Sequence, residues 1–498
     1  MRYFILAGAL LALQAGTARS QTLENSSFEV PQPGNRQLPA SWEITPVPGY
    51  TIALDSAMAQ DGRRALHLAS TTEAPEGRQA FQQSVAVQVA RPTIMRLEAT
   101  VRTKEANHVA LSCQYWDDTK MVNLTNSLMQ GAPPSGTGEW RTLSISLLVQ
   151  PTMRRLVVGG LYIGEGQAWF DDVKLRAVPA FPETAPSAAV EAYLKQAIDI
   201  ARTNSLVRDS IDWPTTQREW LAMAHGMQTP ADTHPLFAYL LGLLRQHGDR
   251  HSGFRPPAVV QASEAPATAA NATTIAQPSA RYLGEGLAYV AVPEFVSINN
   301  ERQVAFAAQL QRLISQLDAE HPMTGWVVDL RGNRGGNMNP MLAGLGSLTG
   351  TGTLGYFVGG RRAAPITYRS VLAKVNGKGQ EVRMPQPLRQ PGSPVAVLIN
   401  SHTGSSGEIT AIAFSGRPAT RLFGQPSAGY TTANSLFRLS DGSELNLAVY
   451  TEADRKHRVY TGPLVPDEVV PATSPTNADA TLAAATAWLR KQAPAGKL

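Results

Sequence analysis

The segment best suited to covalent chemistry is Ser401-His402-Thr403-Gly404-Ser405-Ser406-Gly407-Glu408. The apolar run Val395-Ala396-Val397-Leu398-Ile399-Asn400 precedes it, and Ile409-Thr410-Ala411-Ile412-Ala413-Phe414 follows. That order reads as buried strand, sharp turn, helix. A serine at such a turn sits at a helix N-terminus, where free backbone N–H groups hold developing negative charge. It can attack a carbonyl carbon if a base takes its proton. The same residues also read as a capping box, with Ser405 as N-cap and Glu408 three residues on. A second strand-to-turn unit is Thr324-Gly325-Trp326-Val327-Val328-Asp329-Leu330 followed by Arg331-Gly332-Asn333-Arg334-Gly335-Gly336. Paired glycines there let backbone amides approach a ligand without Cβ obstruction. A third segment, Gly248-Asp249-Arg250-His251-Ser252-Gly253, is a polar turn after a helix end.

Together these three segments resemble the serine peptidases of family S41, the tail-specific and tricorn group. Asp329-Leu330-Arg331-Gly332-Asn333-Arg334-Gly335-Gly336 is similar to that family's central strand-turn. Thr403-Gly404-Ser405-Ser406-Gly407-Glu408 is similar to its nucleophile turn, and the alignment places the nucleophile at Ser405 rather than Ser406. One branch of the family uses a lysine base in a downstream Gly-Lys-Gly turn. Here Tyr430 takes the lysine place, and no lysine lies between Ser405 and Lys456. The tricorn branch uses a histidine in an Asp-x-His-Ser/Thr turn, which Asp249-Arg250-His251-Ser252 resembles. The resemblance therefore implies His251 as general base for Ser405. It also implies an oxyanion hole from the Gly335-Gly336 turn and the N–H of Ser406. For the residue that orients His251, Asp454, Asp249 and Glu468 are the candidates, with Tyr460 near the aligned position. Among nine histidines, His457, beside Asp454, is the rival base. An imidazole titrates near neutral pH and suits the task.

These readings lead to an exported serine-type endopeptidase acting on protein or peptide substrates, with no cofactor. The alternatives are an esterase or amidase using the same Ser–His pair, and a catalytically inactive peptide- or glycan-binding relative. A net charge of +5 over 498 residues, without a long basic run, argues against nucleic acid as partner. The single cysteine, Cys113, cannot form an internal disulfide.

The elements that must position these groups form a multidomain chain. Residues 1–20 read as a secretory signal peptide, with Phe4-Ile5-Leu6-Ala7 opening a short apolar core and Ala18-Arg19-Ser20 as the cleavage pattern. Export to the periplasm or the extracellular space follows, with no membrane span after cleavage. Residues 21–180 alternate short apolar runs with Gly/Pro/Asp turns, which predicts a β-sandwich. Asn25-Ser26-Ser27-Phe28-Glu29, Pro39-Ala40-Ser41-Trp42 and Trp169-Phe170-Asp171-Asp172-Val173 resemble jelly-roll carbohydrate-binding modules. That resemblance implies a glycan contact and a structural calcium ion, with Glu29 and Asp172 as its candidate ligands; Trp42 and Trp169 read as core. Residues 186–254 form a helical subdomain ending in the His251 turn. Residues 255–280, rich in Ala, Pro and Thr, read as a flexible linker. Residues 281–498 alternate strands and helices and form the catalytic core, for which the family resemblance implies a crotonase-like (ClpP-like) α/β fold.

Overall fold

The computed structural model describes residues 23–72, 77–130, 134–264, 276–297, 299–359, 362–369, 372–375, 378–381, 387–471 and 479–492. The expected signal peptide, 1–20, lies outside them. Among the described residues no helix is long and apolar enough to cross a membrane. The chain divides into two compact units. One runs to Leu194 and adds Thr215–Leu243 and Gln261–Ser263; the other is Lys195–Pro214, Leu244–Val260 and Glu264–Leu498.

The first unit is built on two five-stranded antiparallel sheets. One has the order Gly136–Val149, Thr93–Ala106, Gln167–Ala177, Ala65–Ser70, Tyr50–Asp55; the other Glu43–Ile44, Gln79–Ala86, Arg155–Ile163, His108–Trp116, Met121–Asn126. Residues alternate between buried and less buried along Gln79–Ala86 and most of Thr93–Ala106, as expected when one face of each strand closes on a core. Phe81 centres that core, with ring centroids 5.6 Å from Phe28, 5.2 Å from Trp42 and 4.9 Å from Phe170. Trp42 is thus core. Trp169 stacks on His67 at 4.6 Å and donates its indole N–H to Asp55. Burial raises the thiol pKa of Cys113, leaving it a protonated core side chain.

The carboxylates expected to hold calcium have other partners. Glu29 Oε1 accepts the backbone N–H groups of Arg63 and Arg64 at 2.7 and 2.9 Å, and Asp172 pairs with Lys174. Among the described residues no group of three His, Cys, Asp or Glu could hold a metal ion.

Two expected segments are described in more detail by the structure. The helices of 186–254 divide between the two compact units. Tyr193, Trp220 and Phe237 pack edge-on within the first unit, and Asn123 of its sheet bonds the Ala238 carbonyl. The helix Ala188–Asn204 continues into the second unit, where Gln196 Oε1 accepts the Ser440 N–H. The expected linker 255–280 begins with a helix, Pro257–Glu264, and ends in the strand Ser279–Gly284; 265–275 lie outside the described residues. Proline is tolerated at the first helical position, and Val260 is buried.

The second unit holds a six-stranded sheet in the order Ser279–Gly284, Leu287–Ala291, Gly325–Asp329, Val395–Ile399, Thr420–Gly424, Glu468–Val469. The first pair is antiparallel and the rest parallel. Gly325–Asp329 and Val395–Ile399 are buried along their whole length, as parallel strands covered on both faces must be. Val328, Val395 and Val397 face the helix Asn300–Glu320 through Phe306, Leu310 and Ile314. Val327, Ala396 and Leu398 face the helix Ala480–Gln492 through Ala485 and Leu489. A second, antiparallel sheet is centred on Glu444–Asp454, which pairs with Gly253–Arg255, Gly352–Gly359, Thr432–Arg438 and Val459–Tyr460.

Candidate active site

Gly325–Asp329 and Val395–Ile399 are neighbouring parallel strands, so the turns that follow them emerge at the same sheet edge. In open α/β sheets that carboxyl edge is where ligands bind. The two turns are laced together. Thr403 Oγ1 donates to the Leu330 carbonyl at 2.9 Å, Gly404 N donates to the Asn333 carbonyl at 2.9 Å, and Gly332 N donates to Asn400 Oδ1 at 3.1 Å. Gly335, at φ 111°, lies directly against the serine turn. A Cβ on it would stand 2.9 Å from Ser405 Cβ and 2.9 Å from Ser406 N. Only glycine allows this approach.

Ser405 is half-buried and sits between the strand and the helix Ser406–Ile412, with φ 51° and ψ −118°. That backbone state is costly for a residue with a side chain and is held by its surroundings. The carboxylate arm of the expected capping box is present, with Ser405 N donating to Glu408 Oε2 at 2.7 Å. Glu408 does more than cap. It also accepts from Ser427 Oγ, from Gly429 N at 2.8 Å and from Tyr430 N at 2.9 Å. Burial pushes its carboxyl pKa upward, and these donated bonds oppose that shift.

Of the three expected oxyanion donors, Gly335 is already engaged. Its N–H is given to Asn333 Oδ1 at 3.0 Å. The N–H groups of Gly336 and Ser406 have no acceptor among the described residues. The Ser406 side chain instead donates to the Gly336 carbonyl at 2.7 Å, tying these two residues together. Asn333 is fully buried and anchors the turn through Nδ2 to the carbonyls of Val292 and Pro293.

His251 belongs to the turn between the helix Phe237–Gln246 and the strand Gly253–Arg255. Asp249 shapes that turn. Its carboxylate accepts His251 N, Ser252 N and Ser252 Oγ, the local Asx pattern. The imidazole Nδ1 lies 2.8 Å from Thr432 Oγ1, and Nε2 has no hydrogen-bond partner among the described residues. Burial lowers the histidine pKa, opposed by the charge of Asp249 and by a hydrogen bond to the Thr432 backbone.

Tyr430 reaches both halves of the site. Its ring centroid is 5.2 Å from that of His251, and its Cδ2 is 3.5 Å from where a Cβ on Gly404 would lie. No hydrogen bond joins Ser405 directly to His251.

The three carboxylates expected to orient His251 have partners other than its ring. Asp454 accepts from Lys456 N, Arg458 N and the Tyr460 hydroxyl, which makes it the acid of a hairpin turn. Glu468 pairs with Arg421. Asp249 bonds the His251 backbone rather than the ring. The group on the ring is Thr432, a strand residue with no motif around it. The rival base His457 is exposed and stacks on Tyr356 at 4.1 Å.

Residues 286–470 match the family model described as Peptidase family S41. The chain is 30% identical over 314 residues to the nisin-resistance protein of Lactococcus lactis subsp. lactis, covering 63% of this chain and 91% of that one. It is 29% identical over 188 residues to the carboxyl-terminal-processing protease of Synechocystis sp., covering 38% of each. Among solved structures, a lipoprotein from Streptococcus agalactiae aligns with a TM-score of 0.50 at 23% identity, over 63% of this chain and 99% of that one. With residues 286–470 matching the family model and a relative covered almost end to end, the chain belongs to peptidase family S41.

Proposed function

We propose that the chain is an exported serine endopeptidase of the tricorn-like branch, with Ser405 as nucleophile and His251 as general base. The observation that carries this reading is a constrained serine and an available imidazole linked through Tyr430, which packs on His251 and lies against Gly404 next to Ser405. Ser405 is held at φ 51°, the backbone N–H groups of Gly336 and Ser406 have no acceptor among the described residues, and His251 Nε2 has no partner among them. An Nδ1–H directed at Thr432 leaves a lone pair on Nε2, the tautomer a base requires. In the first step Ser405 Oγ bonds the scissile carbonyl carbon while its proton passes to Nε2. The carbonyl oxygen takes the negative charge, facing the N–H groups of Gly336 and Ser406. Collapse breaks the C–N bond, and Nε2 returns the proton to the leaving amine. Water then cleaves the acyl ester by the same proton path. The Ser–His contact forms as substrate closes the site, as unliganded catalytic contacts commonly tighten on binding.

In the same reading the second unit is a crotonase-like core. The first unit is a jelly-roll accessory module, supported by its two antiparallel sheets around one core. Residues 1–20 direct export.

The test is labelling with a fluorophosphonate probe followed by hydrolysis of fluorescein-labelled casein. The wild-type chain should label at Ser405 and cut casein, and Ser405→Ala should do neither while keeping its fold. Full labelling of Ser405→Ala, or loss of labelling in Ser406→Ala alone, would move the nucleophile.

A further inference from the structure

We propose that Glu408 is a positioning residue that sets the relation between nucleophile and base. The proposal rests on the reading of Ser405 and His251 given above. The carboxylate is fully buried and accepts four hydrogen bonds, two on each oxygen. Its donors come from two separate pieces of chain. Ser405 N belongs to the nucleophile turn. Ser427 Oγ, Gly429 N and Tyr430 N belong to the turn that leads into Thr432–Arg438.

That second piece carries both side chains that touch the base. Tyr430 packs on the imidazole, and Thr432 meets its Nδ1. One oxygen, Oε2, therefore bonds the nucleophile's own N–H and the N–H of a residue in contact with the base. A shift of this carboxylate moves the two catalytic groups relative to one another. A helix cap alone would need only the Ser405 bond.

Burial pulls the Glu408 pKa upward, and the four donated hydrogen bonds stabilise the anion against that pull. Three of the four donors facing Glu408 are backbone N–H groups, which cannot accept a proton in return. The neighbouring carboxyl of Glu452 is buried, its Oε2 has no partner, and its pKa is raised by burial and by the charge of Glu408. Of the two, Glu452, with an unpartnered oxygen, is the more readily protonated.

The experiment measures fluorophosphonate labelling of the full chain as kinact and KI across pH, with near-UV circular dichroism to count the folded fraction. Glu408→Gln keeps the size of the side chain but turns an NH2 toward backbone donors. It should lower kinact about 100-fold, the cost of moving reacting groups by about 1 Å. KI should stay within about threefold, since Gly336 and Ser406 are untouched. His251 is faced by Asp249 from its own turn and by Tyr430 and Thr432 from the turn and strand that Glu408 holds. As that strand loosens and the ring hydrates, the pH inflection should rise toward the ordinary histidine value of 6.5.

A kinact within threefold of wild type overturns the proposal. So does a loss explained wholly by unfolded protein, with the folded remainder reacting at the wild-type rate and inflection. If Glu408→Gln fails to fold, Ser427→Ala decides. Losing one of four bonds should lower kinact about three- to tenfold at constant KI, and an unchanged kinact overturns the proposal. A wild-type chain that does not label at Ser405 removes the nucleophile assignment beneath it and is thereby distinguishable.

Discussion

Gly335→Ala tests how tightly the two turns must meet. The added methyl would stand 2.8 Å from the Gly404 carbonyl oxygen, 2.9 Å from Ser405 Cβ and 2.9 Å from Ser406 N. Ordinary contact between such atoms begins near 3.5 Å, so the serine turn must retreat by about 0.6 Å. The atoms in the way are backbone or the nucleophile's own carbon, so no flexible side-chain tip can yield instead. A displacement of about 1 Å at reacting groups costs about 100-fold, so a loss of about 15-fold in kcat follows here. The substitution also forces φ 111° on a residue with a Cβ, a strain of about 1–3 kcal/mol. Gly332→Ala is the matched control: φ is 76°, and nothing lies within 4 Å of the added carbon. It should show a small stability loss of about 1–2 kcal/mol and casein turnover within twofold of wild type. The assay is casein turnover and fluorophosphonate labelling, with thermal unfolding in parallel. Near-wild-type turnover by Gly335→Ala, or equal damage by Gly332→Ala, would refute the close approach.

Other outcomes follow from the same geometry. A base works only while neutral, and burial lowers the His251 pKa, so activity should fall on acidification with its inflection below 6.5; an inflection well above that value contradicts the buried imidazole. Thr432→Val removes the hydroxyl on Nδ1 and should lower kcat about tenfold, the worth of one hydrogen bond, while Thr432→Ser restores it; equal rates for all three chains would deny Thr432 its role. His457→Ala should leave turnover unchanged, because His457 packs on Tyr356. Chelation by EDTA should leave the thermal unfolding of the chain unmoved, since Glu29 already holds two backbone N–H groups; a lowered midpoint would indicate bound calcium.

Much of the site was legible where local pattern and motif coincide. The run at 395–399 and the glycines after Ser405 and Asp329 mark strand, turn and helix without long-range information. Thr432 was not legible. It stands 181 positions from His251, and its role arises only because Thr432–Arg438 pairs beside the His251 turn. Asp454 attracted attention by its place next to His457, yet its carboxylate is spent on its own hairpin. Glu408 read as a cap because one of its four bonds is local; the others come from residues 427–430. The helices of 186–254 looked continuous by periodicity. Which core each joins depends on partners such as Asn123 and Ser440, which the periodicity does not encode.

The central claim is that Ser405 and His251 form one catalytic unit, and the most direct measurement is the pH dependence of fluorophosphonate labelling in wild type and His251→Ala, with the labelled peptide mapped by mass spectrometry. The account predicts a label on Ser405, a wild-type rate that falls through an inflection below 6.5 as pH drops, and a far slower, pH-flat rate in His251→Ala. A label on another serine, or an unchanged rate and pH profile in His251→Ala, would contradict it.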